Sequence, residues 1–582
     1  MYTLIMATIQ SKKSRGYKYW YIVESRRVNG KPRPVVLAYL GKADDLLKRL
    51  QGLYELKLKS YSHGAVCALI DVAAKLDIVN ILNKYVKSSR HYVAEKPVRN
   101  NLTAGITFLL GSIGRVCMPT SKMGWWNWAK TTSAEYLLRC SLSKVDSQHF
   151  WDLMDSFPEK AIASAEQEIL TRLLDVYKIQ SDTLFYDTTN FFTYIDTTNT
   201  HCDIAQRGRN KQKRNDLRQV GLAMVVSKED YIPLFHHSYR GNLQDGTVFR
   251  EVIEKIKDRM QSLGLSQDTH TLVFDRGNNS KKNLSIVKSL GFYYVGALTP
   301  YHHKEIIDRA MEDMVIIRLN NETLAVYREK SIIWEDEKTI LVFVSDRLKA
   351  GQIRGIYQNL DKKEKSLKEL QEALINPKGK KRDREELEEK IKAIVSGQYI
   401  KDVIIWKLLE TGDGKYFLDY QINKEQLHYV EDKLGFRIIM TNRHEWTSLD
   451  IIAAYYGQSK IEHAFKNMKN PYHLALKPQY HWTNQKIKVH YFICVIGYLL
   501  STIIWREARL KAGYKGSLDN LLDILNNIRL GTMLEESKKT GKPKATYKLE
   551  EMTKDEKRII KALGVENDHN ERPKIRNVGV YK

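Results

Sequence analysis

The sequence predicts an α/β protein in which a sheet carries the chemistry and helices surround it. Three observations predict it. The run Leu184-Phe185-Tyr186-Asp187-Thr188-Thr189-Asn190-Phe191-Phe192 opens as a buried strand and then sets a carboxylate where a strand should stay apolar. Thr271-Leu272-Val273-Phe274 repeats the pattern and runs straight into Asp275-Arg276-Gly277. Around them strands and helices alternate: a strand over Gly221 to Val226, a helix from Thr247, another over Ser280 to Leu290, a strand over Tyr293 to Ala297. A lone Asp at a strand end is ordinarily a helix cap or a turn residue. Two such strands suggest instead two carboxylates brought together at one end of a sheet. A buried charge costs on the order of several kcal/mol unless it is paired or binds a metal.

Length and composition frame that reading. At 582 residues the chain has room for several domains, and 43% hydrophobic with 10% aromatic residues supports real cores. The net charge of +25, from 94 Lys and Arg against 69 Asp and Glu, favours polyanions, of which nucleic acid is the usual one. Ribosome- and membrane-surface proteins share such a charge, so charge alone decides little. Cys67, Cys117, Cys140, Cys202 and Cys494 are scattered, which argues against a disulfide framework or a zinc module and fits reducing cytosol. Met1 to Gln10 does not read as a signal peptide. Tyr491 to Trp505 is the only membrane-like run; at 15 residues it falls short of the ~20 a span needs and reads as a buried core helix. No membrane partner is expected.

The first stretch, 1–58, reads as a β-hairpin region: a strand over Lys18 to Val28, an Asn29-Gly30 turn and a return strand over Arg33 to Leu40. Lys12, Lys13, Arg15, Lys18, Arg26, Arg27, Lys31 and Arg33 gather on it, either as a solvated face or as a DNA-backbone contact. Residues 59–179 turn helical, with Val66, Leu69, Ile70, Ala73 and Ala74 at helical spacing, and form an expected all-helical DNA-binding domain. Asp146 and Ser156 are plausible caps there, and the Trp125-Trp126-Asn127-Trp128 cluster reads as core more readily than as a base-stacking platform.

Between the two acid strands lies Arg207-Gly208-Arg209-Asn210-Lys211-Gln212-Lys213-Arg214-Asn215-Asp216-Leu217-Arg218. Six cations in these twelve residues make a loop able to track phosphates. Residues 180–300 form the first part of the core. Over 301–441 the pattern becomes an inserted, largely β module carrying a charged helical arm, Leu348 to Ile375 and Arg382 to Val395, broken at Asn376-Pro377-Lys378-Gly379. The second part of the core, 442–510, begins with a helix over Asp450 to Lys469 capped from Ser448. At ~100° per residue, Tyr455, Gln458, Glu462 and Lys469 share about 60° of its surface. Taken alone, Glu462 is a solvated acid beside the apolar stripe of Ala454, Ile461, Phe465 and Met468. An apolar helix over Ile487 to Arg506 covers the sheet, and 511–582 is a basic helical tail.

At this point the residues resemble a family. Asp187, Asp275 and Glu462 resemble the DDE triad of bacterial insertion-sequence transposases with an RNase H-like core. The branch with a β-rich insertion carries a Tyr-x2-Arg-x3-Glu-x6-Lys signature. Here it reads Tyr455-x2-Gln458-x3-Glu462-x6-Lys469, with Gln in place of Arg. The supporting stretches are Asp275-Arg276-Gly277, Arg207 to Gln219, Arg240-Gly241-Asn242, Ile461-Glu462-x2-Phe465-x2-Met468-Lys469, Leu476-Lys477-Pro478-x-Tyr480-His481, Thr553 to Val565 and the N-terminal hairpin. The spacing leaves room for the insertion: Asp275 lies 88 residues after Asp187, and Glu462 another 187 further on.

The resemblance implies an RNase H-like catalytic core interrupted by the insertion and preceded by the hairpin and the helical domain. It implies two Mg²⁺ ions, replaceable by Mn²⁺, held by Asp187, Asp275 and Glu462, and cut-and-paste transposition. Three carboxylates without His or Cys suit Mg²⁺. It further implies DNA contacts from Tyr455, Gln458, Lys469, Arg276, Arg207, Arg209, Lys211, Lys213, Arg214 and Arg218. The implied partners are the element's terminal inverted repeats, target duplex and a second copy in a homodimer, in bacterial cytoplasm on the nucleoid. Two other readings remain: another RNase H-like nuclease, or a catalytically silent DNA-binding protein derived from a transposase.

Overall fold

The run around Asp187 is a strand, and it lies third from one edge of the largest sheet. In a computed structural model, the chain is described over residues 7–28, 31–51, 56–86, 102–179, 182–196, 198–210, 213–265, 269–319, 322–375, 383–412, 415–477, 479–535, 544–571 and 573–575. The strands are, in chain order, β1 (Ala7–Ser14), β2 (Tyr17–Val28), β3 (Lys31–Gly41), β4 (Leu56–Ser62), β5 (Thr183–Thr193), β6 (Arg218–Ser227), β7 (Pro233–Arg240), β8 (Thr271–Phe274) and β9 (Tyr293–Leu298). They continue as β10 (Val315–Leu319), β11 (Glu322–Ile333), β12 (Asp336–Val344), β13 (Ile404–Gly412), β14 (Lys415–Ile422), β15 (Phe436–Thr441), β16 (Arg529–Glu535) and β17 (Lys544–Leu549).

Nine of them form one sheet in the order β10-β11-β12-β15-β9-β8-β5-β6-β7. Within it β7, β6 and β5 are antiparallel neighbours, whereas β5, β8 and β9 run parallel. The parallel strands read as unbroken apolar runs because helices cover both faces. Phe249 of the helix Asp245–Ser262 packs on Tyr186 and Phe274, with ring centroids 5.1 and 4.9 Å apart. On the opposite face Gly457 lies so close to Phe185 that a Cβ there would meet its ring at 2.4 Å. Successive strand residues face opposite ways, so Tyr186 and Phe185 label the two faces.

The expected insertion is divided in the structure. β10, β11, β12 and β15 extend the main sheet beyond β9, while the helical arm Asp346–Ile375 and Arg384–Val395 packs with β13 and β14 around a small core of its own, including Leu367, Leu387, Ile391 and Leu418. β11, with the charged centre Arg328-Glu329-Lys330, lies between β10 and β12. The break expected at Asn376 to Gly379 lies outside the described residues.

Three further expectations change. The N-terminal hairpin gains a third strand, β1, and its Asn29-Gly30 turn lies outside the described residues. The tail is not wholly helical: β16 pairs with β17 on one side and with the distant β4 on the other. Ser156 ends the helix Ser147–Asp155 rather than starting one, whereas Asp146 caps its N-terminus through His149 N–H. In the helical region, Trp125 and Trp128 are buried in the core. The helix Asn484–Ala512 is long and apolar enough to cross a membrane, yet 94% of its most apolar window is buried inside the protein. It packs between the helix Ala104–Cys117 and β7.

Candidate active site

The first two acids are neighbours by register. β5 and β8 pair in parallel with Tyr186 opposite Phe274, so the next residues, Asp187 and Asp275, emerge side by side. Alternation puts Asp187 on the Phe185 face, the face covered by the helix Ser459–Lys469 that carries Glu462 in its first turn. Thr188 N–H donates to Asp187 Oδ1 at 2.7 Å, and Arg276 N–H does the same for Asp275 at 2.7 Å. Burial pushes the Asp187 carboxyl up to about 7, against the pull of the Thr188 N–H and helped by the charges of Asp275, Asp245 and Glu462. Asp275 and Glu462 are exposed.

A fourth acid stands with them. Asp245 opens the helix Asp245–Ser262, and its Oδ1 accepts from the Thr188 hydroxyl at 2.8 Å. An acid in the first turn of a helix is ordinary dipole chemistry, so the sequence pattern does not single it out. The signal that could have found it is Thr188, a hydroxyl beside the first acid that must point to the opposite face.

The signature residues behave unequally. Lys469 donates from Nζ to Thr189 Oγ1 and lies 5.4 Å from the Phe191 ring centre, both on the Asp187 face of β5. Tyr455 accepts from Arg437 Nη1 at 3.2 Å. The expected single helix is two, Ser448–Gly457 and Ser459–Lys469, and the N-cap is Thr447, in a capping box with Asp450. Gln458 is the junction. It is 8% exposed, so it does not lie on an open polar stripe as helical spacing predicts. The close approach of Gly457 to Phe185 is what seats the pair of helices on the strand.

The basic loop lies further along. β6 begins at Arg218 opposite Thr193, six residues beyond Asp187 on β5, about 20 Å at ~3.3 Å per residue. The Gln219 amide donates to the Gly241 and Arg209 carbonyls at 2.7 and 3.3 Å, and Gly208 and Gly241 approach too closely for side chains. Asn210 Oδ1 accepts from Arg214 N–H at 2.9 Å. Arg207, Arg209 and Lys213 are exposed, but the Arg214 guanidinium is held by Asp216 through two bonds of 2.9 and 2.8 Å. Arg218 donates to the Asn199 carbonyl at 3.2 Å. Arg240, of the Arg240-Gly241-Asn242 stretch, pairs with Asp203 at 2.7 Å. Arg276 is exposed beside Asp275; Lys211 and Pro478 lie outside the described residues.

Hard oxygen donors of this number suit a divalent cation such as Mg²⁺, and the Asp187 carboxyl is raised chiefly by burial and further by the neighbouring acids. Among the described residues no three acidic, His or Cys side chains are drawn closely enough to hold one ion as they stand.

Residues 6–62 match the IS1634 family transposase, N-terminal domain. That match supports an insertion-sequence transposase. No curated protein matches the chain. Among solved structures, a piggyBac transposase synaptic complex with hairpin DNA aligns over 79% of each chain at 8% identity and a TM-score of 0.37.

Proposed function

We propose that the chain is an insertion-sequence transposase of the DDE type, with Asp187, Asp275 and Glu462 as its catalytic acids and an RNase H-like core formed by β7-β6-β5-β8-β9. The observation that carries the reading is the β5–β8 register, which makes Asp187 and Asp275 neighbours on the face that the Glu462 helix covers. The strand order, antiparallel on one side of β5 and parallel on the other, is what such a core requires.

In this reading the acids hold two Mg²⁺ ions, which when bound would supply an activated attacking hydroxyl and a stabilised leaving oxygen. Asp187, Asp275 and Glu462 are the residues that would hold them, and Asp187 feels the charges of both other acids. Its raised carboxyl is only partly ionised near neutrality, so a bound cation would favour the deprotonated form. Lys469, held against β5 by Thr189, offers its ammonium to a phosphate of the cut strand, and Arg276 offers a guanidinium beside Asp275. The loop cations, about 20 Å along β5, meet phosphates some six base steps away at ~3.4 Å per step. Cut-and-paste transposition by a homodimer on the element's terminal repeats is the corresponding process.

The test is Mg²⁺-dependent cleavage of duplexes carrying the DNA that flanks the gene. Asp187→Asn, Asp275→Asn and Glu462→Gln each abolish cleavage while binding persists. Retained cleavage in any of the three removes that residue from the site, and retained cleavage in all three removes the DDE reading.

A further inference from the structure

We propose that the N-terminal three-stranded sheet docks in the major groove of duplex DNA through the face bearing Gln10, Lys12, Tyr19, Tyr21 and Tyr39. The proposal rests on the reading above that the chain acts on DNA.

Register fixes which side chains share that face. Gln10 pairs with Tyr21 and Lys12 with Tyr19 across β1 and β2, and Tyr21 pairs with Tyr39 across β2 and β3. Directly opposed residues point the same way. The Tyr39 ring touches both others, with centroids 5.1 Å from Tyr21 and 6.0 Å from Tyr19. Gln10, Lys12 and Tyr39 are exposed, the last at 56%. Among the described residues, the sheet's extensive packing is with the helix Ala43–Leu50 that follows it.

Charge names the partner. Residues 7–41 carry eight Lys and Arg against one acid, Glu24, and Glu24 is buried. Arg15 and Gly16, both with positive φ, form a tight turn that carries Arg15 at the tip of β1 and β2, within reach of a phosphate. Three strands ~4.8 Å apart span about 10 Å, which fits a major groove ~12 Å wide. Gln and Lys are side chains that read adenine and guanine edges there. A single strand would need open aromatic faces for stacking, whereas these tyrosines lean on one another at 52° and 35°.

The experiment uses the full chain and three probes: duplexes of about 50 bp from each flank of the gene, a mixed-sequence duplex of equal length, and the separated strands. Gln10→Ala with Lys12→Ala weakens flank binding about tenfold and mixed-sequence binding far less. Lys13→Ala with Lys18→Ala, on the opposite face, weakens both duplexes alike. As a measurement on the unaltered protein, 7-deazaguanine in the flank duplex, which removes a major-groove acceptor, lowers affinity for it and leaves affinity for the Gln10/Lys12 variant unchanged. The proposal fails if the Gln10/Lys12 variant keeps its preference, if single strands bind as well as duplex, or if deazaguanine has no effect. None of these readouts uses cleavage, so the acid-to-amide result and this one fail separately.

Discussion

Lys469 Nζ donates to Thr189 Oγ1, two residues beyond Asp187 on the same face of β5. A signature cation on a helix is thereby fixed to the strand that carries the first acid. Lys469→Ala should lower cleavage of bound ends at least tenfold with little change in their affinity. Thr189→Val, which frees the ammonium without removing it, should cost less. Equal losses would make Thr189, not the cation, the operative group.

The junction residue behaves otherwise. Gln458 is buried where the two helices meet, so Gln458→Arg buries a guanidinium and should lower the apparent melting temperature rather than tighten DNA binding. Thermal unfolding with and without end DNA checks it. An arginine tolerated there, with tighter binding, would mean that the junction opens to DNA.

Asp187 makes stability depend on pH. Its carboxyl is raised from 3.8 to about 7, chiefly by burial, so the folded protein holds a proton that the unfolded chain has released. Ionisation therefore opposes folding, and this contribution is lost as pH rises from about 4 to about 7. Metal-free Asp187→Asn should melt higher than the unaltered protein at pH 8 and close to it at pH 4, and Mg²⁺ should narrow the difference at pH 8. A difference largest at pH 4 reverses the argument.

Asp245 is tested through its charge. Asp245→Asn keeps an acceptor for the Thr188 hydroxyl but removes the negative charge near Asp187. Cleavage should fall about tenfold with end binding intact. Full activity would leave Asp245 as a helix-start residue and nothing more.

The loop should show itself in salt. Neutralising Arg207, Arg209 and Lys213 together should reduce the log–log salt slope of duplex binding by about 2–3, at ~0.9 per phosphate released. Arg214→Ala adds little, because Asp216 already holds that guanidinium. An unchanged slope makes the loop a solvated surface.

Much of the centre was legible from residues. An apolar run that ends in an acid occurs twice, and the structure aligns the two runs in parallel with the acids adjacent. What stayed hidden depends on distant partners. Helical periodicity carries Tyr455 to Lys469 through Gln458 without interruption, and only the seating of Gly457 on Phe185 reveals the junction. Asp245 looks like any helix-start acid until Thr188 is seen to reach it. β16 sits in a tail whose charge and helical neighbours conceal it, and its partner β4 is remote in sequence.

That last pairing sets a clock on synthesis. Ser62 of β4 lies opposite Arg529 of β16, so 467 residues must follow Ser62 before its partner leaves the ribosome. At ~5–20 residues per second, β4 waits roughly 20–90 s without the strand it pairs with. The sheet that β4 joins is therefore among the last parts of the molecule to form, and any chain that stops short of Arg529 leaves β4 as an unpaired edge prone to association with other chains.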